Sequence, residues 1–450
     1  MNNLEQQIAA LSPEQRMIFE KRRKQKRLNK ERTQETFKIK ISKRKNFSEI
    51  PLSFAQQRLW FFQQLNPDNS AYNNFSALRL VGEINIALLE KAFTEIVRRH
   101  ESLRTTFTTN SEGLPIQVIA PIQPCKILIV DLKDIPDRDE EIEKLVTKES
   151  QKSFNLTQPL LRITLLKLAE TDHVLLVTIH HIISDRWSMG IFVREMQVLY
   201  EFFSKKQSIS YINAGQTPLP ELPIQYADWT VWQQQYLQGK VLQVQTDYWT
   251  KQLANLPILK LPTDRPRPAI ATYRGAKKSF KLSKTLSNAL KTLSVKQGIT
   301  LFTLLLTVFK VLLYKYTNQD DIVVGTDIAN RNRVETEGLI GFLINTLVLR
   351  TDLSGNPTFT QLLSRVCKVT IKAYNHQDLP FNQLVDILKP ERDLSEMVPL
   401  IQVKFDLQLA KVEPIELSNL TVSPLNFDNG TAKFELRINL SETEQGLAGI

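Results

Sequence analysis

Residues 173–182 read HVLLVTIHHI, an apolar run rich in Val and Ile that closes on two adjacent histidines. A strand can be apolar at successive positions only where both of its faces are covered, so the run predicts a strand buried inside a sheet. Around it the pattern switches between two periods. SALRLVG (76–82) reads as a strand, and IALLEKAFTEIVRRH (86–100) carries apolar residues at helical spacing. SMGIFVREMQVLYEFF (188–203) is amphipathic, with Ser188 as the expected helix cap. The fold class that follows is α/β, with helices laid against sheets.

The second half repeats the style. Helices are expected over 284–297, 300–316 and near 357–374, and strands over DIVVGTDIA (321–329), LIQVKFDLQL (400–409) and AKFELRINL (432–440). TPLPELP (217–223) breaks the pattern and marks a boundary. A chain of 450 residues is too long for one ordinary core. Two lobes are therefore expected, 46–220 and 221–450, after a separate segment 1–45. The most apolar long stretch, LFTLLLTVFKVLLYKY (301–316), is too short to span a bilayer and is interrupted by Lys310 and Lys315. It reads as a buried helix.

The net charge of +11 is local. Residues 21–45 hold 13 Lys/Arg against 2 Asp/Glu, which leaves 45 basic and 45 acidic residues elsewhere. A neutral body argues against nucleic acid or membrane as the partner. The basic arm follows LSPEQRMIFEKRRK, where Ser12, Pro13 and Glu14 signal a helix start. Cys125 and Cys367 lie far apart with no Cys/His spacing around them, and the N-terminus lacks an apolar signal core. A cytoplasmic location without disulfides or zinc is expected.

The chemistry concentrates in HHIISDRWS (180–188). Side chains alternate across a strand, so His180 and His181 cannot both reach one cavity, and one of them must be structural. Asp185 falls just past the strand end, where it can orient a ring or pair with a base elsewhere. A histidine there can accept a proton at neutral pH. Metal binding lacks ligands, since only His100, His173 and His376 remain to help. A Ser-His-Asp triad lacks a nucleophile elbow, and no glycine-rich phosphate loop occurs.

HHIISDRWS closely resembles the HHxxxDG signature of nonribosomal peptide synthetase condensation domains, and further segments resemble the other family motifs in order. LSFAQQRLWFFQQL (52–65) is similar to the first, RHESLRTTF (99–107) to the second and YADWTVWQQ (226–234) to the fourth. GLIGFLINTLVLR (338–350), HQDLPFNQLVD (376–386) and RDLSEMVPLIQVKFDLQ (392–408) follow as the fifth to seventh. The resemblance covers roughly 46–450. It implies two lobes like chloramphenicol acetyltransferase in a V-shaped pair with a tunnel between them, entered by the phosphopantetheine arms of donor and acceptor carrier domains. The acceptor amine would attack the donor thioester, so the substrate is its own nucleophile and the domain binds no cofactor itself. His181 takes the family role of general base or amine orienter. Asp185 is expected to pair with Arg104, while His180, Trp187 and Ser188 shape the pocket and Asn345 faces the tunnel. Trp60, Trp229, Trp232 and Phe381 are read as packing residues.

Two departures stand out. Arg186 occupies the position of the usual glycine, and a required positive φ there would strain the turn. The end, SETEQGLAGI, is expected to be a cut from a longer synthetase in which an adenylation domain adjoins. The Ile-Ile-Ser between His181 and Asp185 resembles domains joining an L donor to an L acceptor. An epimerisation domain, or a degenerate domain that recruits carriers or tailoring enzymes, is the alternative; the heterocyclisation and plant acyltransferase signatures are absent. The arm 1–45 resembles segments that dock an upstream synthetase subunit.

Overall fold

The computed structural model describes residues 40–45, 49–206, 217–268, 272, 274–389, 398–408, 416–417, 420–425 and 430–450. The expected N-terminal helix and most of the basic arm lie outside them, as do the first residues of the seventh motif. Residues 43–450 form one compact unit.

Two six-stranded sheets organise that unit. The first runs in the order Glu416–Leu417, Leu420–Pro424, Asn73–Gly82, Asp172–His180, Leu161–Ala169, Leu128–Asp131. All its pairings are antiparallel except Leu128–Asp131 with Leu161–Ala169. Asp172–His180 sits in the interior, and every residue from His173 to His180 is buried, as the unbroken apolar run predicts. The second sheet runs Asn345–Asp352, Asp321–Ile328, Val403–Gln408, Leu436–Thr443, Gly446–Gly449, Phe280–Ser283. Its central strand Val403–Gln408 is parallel to both neighbours. The α/β class holds, but the second half lends strands to the first: Leu420–Pro424 pairs with Leu78–Gly82.

Local chemistry accounts for the helices. Asn85 caps Ile86–Arg99 by accepting from the Leu88 N–H at 3.1 Å, and the buried face Leu89, Ala92, Phe93, Ile96 and Val97 follows the helical repeat. That face packs on Arg186–Lys206, where Phe93 stacks on Phe192 with centroids 5.5 Å apart. Burying one such ring contributes about 1.5–3 kcal/mol. Capping boxes start two more helices, Ser53 with Gln56 before Phe54–Leu65 and Thr358 with Gln361 before Phe359–Asn375.

Leu301–Thr317 is the buried helix expected, yet Lys310 is not on its wet side. Its side chain is fully buried and donates to the carbonyls of Ile322 and Leu349. Burial pushes its ammonium down to about 7. Among the described residues no single helix is long and apolar enough to cross a membrane.

Candidate functional site

The strand Asp172–His180 ends at the first histidine of the motif, a single 3-10 turn covers His181–Ile183, and a helix begins at Arg186. This abrupt change of period turns the two histidines apart. The His180 ring goes inward, edge-on to Phe154 at 5.8 Å, and its Nδ1 accepts from the Ile182 N–H at 3.1 Å. Burial, with the neighbouring His181, pushes its pKa down to about 3.

His181 instead faces a cavity of about 770 Å³. Its backbone N–H is held by the Tyr72 carbonyl at 2.8 Å, and its ring lies 4.6 Å from that of Phe342. Nδ1 lies 2.6 Å from the Ser184 carbonyl oxygen. A carbonyl only accepts, so Nδ1 carries the proton and Nε2 keeps the lone pair. Burial and the Lys433 ammonium hold the ring's pKa below its ordinary value. The ring is therefore neutral at pH 7, with its basic nitrogen uncommitted among the described residues.

Asp185 builds the frame of the turn rather than touching the cavity. Its Oδ1 accepts from the Ser188 N–H at 2.8 Å and from the Ser188 hydroxyl at 2.7 Å, which makes Asp185 the cap of the helix Arg186–Lys206. The expected cap, Ser188, lies in the first turn instead, where its Oγ also takes the Gly341 N–H at 3.1 Å. Oδ2 of Asp185 accepts from the N–H groups of Leu343 at 3.1 Å and Ile344 at 3.3 Å. One carboxylate thus joins the histidine turn to the loop of the fifth motif.

The counter-ion of Asp185 is Arg331, not Arg104. Arg331 Nη2 lies 3.0 Å from Oδ1, and both side chains are 1% exposed. Arg104 closes the 3-10 turn Glu101–Arg104, donates to the Ala120 carbonyl and lies 3.8 Å from Glu101. Its own turn holds it away from the histidine loop. Arg331 follows the strand Asp321–Ile328, and nothing in local spacing marks it. The requirement that a buried carboxylate meet a cation was legible; the identity of that cation was not.

The other candidates divide. Asn345 lines the cavity, but its amide is spent on structure: Nδ2 donates to the carbonyls of Gln377 and Leu379, both at 2.9 Å, and Oδ1 accepts from Phe381 N–H at 2.9 Å. His180, Trp187 and Ser188 do not line the cavity. Trp187 is half exposed and donates to the Glu337 carbonyl at 2.9 Å; Ser188 bonds Gly341, which precedes the cavity-lining Phe342. Trp229 and Phe381 are both core and cavity wall. Arg186 is the first residue of its helix and has no positive φ, so the turn tolerates it. Gly341, in the fifth motif, is irreplaceable for another reason: a Cβ there would lie 2.0 Å from the Tyr226 ring.

Comparison with known proteins places this geometry. The profile of the condensation domain family matches residues 46–448. One of the linear gramicidin synthase chains of Brevibacillus parabrevis is 47% identical over 406 residues, which are 89% of this chain and 8% of that protein. The chain thus spans under a tenth of that relative's length. Among solved structures, the X-domain from teicoplanin biosynthesis in complex with OxyB superposes with a TM-score of 0.79 at 27% identity, covering 91% of this chain and 89% of that one. The first condensation domain of the calcium-dependent antibiotic synthetase, in complex with a substrate analogue, shares the fold with a TM-score of 0.69 at 20% identity, over 90% of each chain. The motif order read along the chain and a profile match that runs through both sheets have one common explanation: the chain belongs to the condensation domain family of the nonribosomal peptide synthetases.

Proposed function

We propose that the chain forms peptide bonds between two carrier-bound thioesters. The acceptor amine attacks the donor carbonyl, a C–N bond forms, the C–S bond breaks, and the donor thiol leaves with the proton that the amine loses. The observation that carries this reading is the tautomer of His181: with Nδ1–H tied to Ser184, the free lone pair of Nε2 belongs to a neutral ring on the cavity wall. Nε2 accepts the amine proton and passes it to the departing sulfur.

Magnitudes rank the contributions. An α-amine with a pKa near 8 is about one-tenth neutral at pH 7, so supplying the free base costs only about 1.4 kcal/mol. Proton transfer by a positioned base contributes about 10²–10⁴, whereas orientation of two bound reactants reaches effective molarities of about 10⁵ M or more. A ring with a lowered pKa is a weak base, which further favours positioning over proton abstraction.

Donor and acceptor arrive on phosphopantetheine arms of an upstream and a downstream carrier domain, an adenylation domain adjoins, and the join is L to L. Residues 1–45 dock an upstream synthetase chain through their charge. The test mixes the protein with a donor carrier and an acceptor carrier, each loaded with an L-aminoacyl group, and follows products by intact mass. His181→Ala is expected to slow dipeptide formation by about 10²–10⁴. An unchanged rate would remove His181 from the reaction.

A second reading rests on the likeness to an X-domain whose structure is a complex with OxyB. On that reading the chain recruits a partner enzyme and does not turn over. Absence of product with several loaded pairs, together with capture of a tailoring enzyme, would favour it.

A further inference from the structure

The cavity beside His181 is strongly basic on one side. Lys404, Lys433, Arg437, Arg58 and Lys277 line it against the acids Asp327 and Asp378, and Lys404, Arg437, Arg58 and Asp327 act on Lys433 electrostatically. Two of these cations are neutralised. Lys404 pairs with Asp327 at 2.5 Å, and Arg437 pairs with Asp406 at 2.8 Å.

Lys433 is different. Among the described residues it has no carboxylate partner, and its Nζ rests 4.7 Å from the centroid of the Tyr72 ring. Tyr72 is also the residue whose carbonyl holds the His181 backbone N–H at 2.8 Å. The unpaired ammonium and the histidine therefore flank one residue on one wall. Partial loss of surrounding water against the cavity wall, with repulsion from Lys404 and Arg437 set against the attraction of Asp327, pushes the Lys433 ammonium down to about 8.

Lys433 still reaches solvent, and an ammonium without an ion-pair partner on the wall of a ligand cavity attracts an anion on whatever enters it. The chemistry of the substrates, as read under Proposed function, narrows which anion. The α-carboxyl of each loaded residue is tied up as the thioester. The phosphate of the pantetheine arm lies at the far end of that arm from the thioester, whereas Lys433 neighbours the histidine where thioester and amine meet. What remains is a side-chain carboxylate.

We propose that Lys433 forms a subsite for the acidic side chain of an aspartyl or glutamyl substrate, on either the donor or the acceptor thioester. The contact is a charge-assisted hydrogen bond from Nζ to the carboxylate, with Tyr72 under the ammonium. Lys433 is thus a specificity residue of the cavity, and His181 acts on the same bound residue.

The test compares carriers loaded with glutamate and with its neutral isostere glutamine, placed in turn as donor and as acceptor. In one of the two positions wild type is expected to prefer glutamyl over glutaminyl by about tenfold or more in kcat/KM. Lys433→Met should bring that ratio to about one, and Lys433→Arg should restore part of it. A ratio near one in wild type at both positions, or a preference that survives Lys433→Met, overturns the proposal. Failure of turnover would concern the reaction and not the subsite, so binding is read separately, by calorimetry on the same proteins with the amide analogues of glutamyl- and glutaminyl-pantetheine. Tighter binding of the glutamyl analogue that depends on Lys433 upholds the subsite even if no dipeptide forms; equal binding of the two, or binding of neither, refutes it.

Discussion

Replacing Asp185 by alanine removes more than a carboxylate. The Arg331 guanidinium, 1% exposed, loses its only ion-pair partner among the described residues. The Leu343, Ile344 and Ser188 N–H groups lose their acceptor, and the helix Arg186–Lys206 loses its cap. Removing one partner of a buried pair costs about 3–5 kcal/mol, and a lost cap by itself about 1 kcal/mol. These terms overlap, since one carboxylate serves several donors, and about 4 kcal/mol is the expected loss. With an unfolding entropy of about 2.1 cal/mol/K per residue, a chain of 450 residues has roughly 0.9 kcal/mol/K, so Tm should fall by about 4 °C. Calorimetry at a fixed scan rate measures this. Arg104→Ala is the internal control, because Arg104 is the partner that the family resemblance implies. Among the described residues its side chain bonds only the Ala120 carbonyl and a distant Glu101, and its removal should cost about 1 °C. The double variant Asp185→Leu/Arg331→Met, which leaves no orphaned charge, should regain more than half of the loss. If Asp185→Ala were no more damaging than Arg104→Ala, the pairing with Arg331 would be irrelevant to stability and the reasoning would fail.

Two further outcomes follow from the same turn. Arg186→Gly is expected to leave the condensation rate within about twofold and to lower stability by about 0.5–1 kcal/mol, since the position is helical and gains nothing from glycine; a large rate gain in the carrier assay would contradict this. His180 is buried neutral beside His181, Lys433 and Arg162, with its pKa pushed down to about 3. The unfolded ring binds a proton below about pH 6.5 and the folded ring does not until about pH 3, so folding loses stability as pH falls through that window. His180→Phe should flatten the dependence by up to about 5 kcal/mol across it, read as the difference between wild-type and variant urea midpoints. Identical pH slopes would show that His180 is charged or hydrated in the fold.

Much of the fold was present in short-range pattern. The unbroken run 173–180 is a strand buried on both faces, and the amphipathic repeats at 86–99, 284–296, 301–317 and 359–375 are helices, each displaced by no more than two residues from its expected end. These features depend on neighbours in sequence, because a strand or helix face is set by residues two to four apart. The helix after the motif starts two residues early for the same kind of reason: Asp185 is as good a cap as Ser188 and comes first.

By itself the sequence determined where the histidine pair lies, that one ring must turn away from the other, and in what order the motifs follow. Residue spacing left open which ring that is; the family resemblance implied His181, and the tertiary structure puts His180 under Phe154 and His181 in the cavity. It also chose Arg331 over Arg104 across 146 residues, drew Leu420–Pro424 into the first sheet, put Lys310 inside a helix core, and left Lys433 beside Tyr72 without a counter-ion among the described residues. Period and capping are properties of adjacent residues, and a sequence displays them directly. A charge finds its partner, or is left without one, only when distant segments close around it and exclude the water that would have served either arginine equally well.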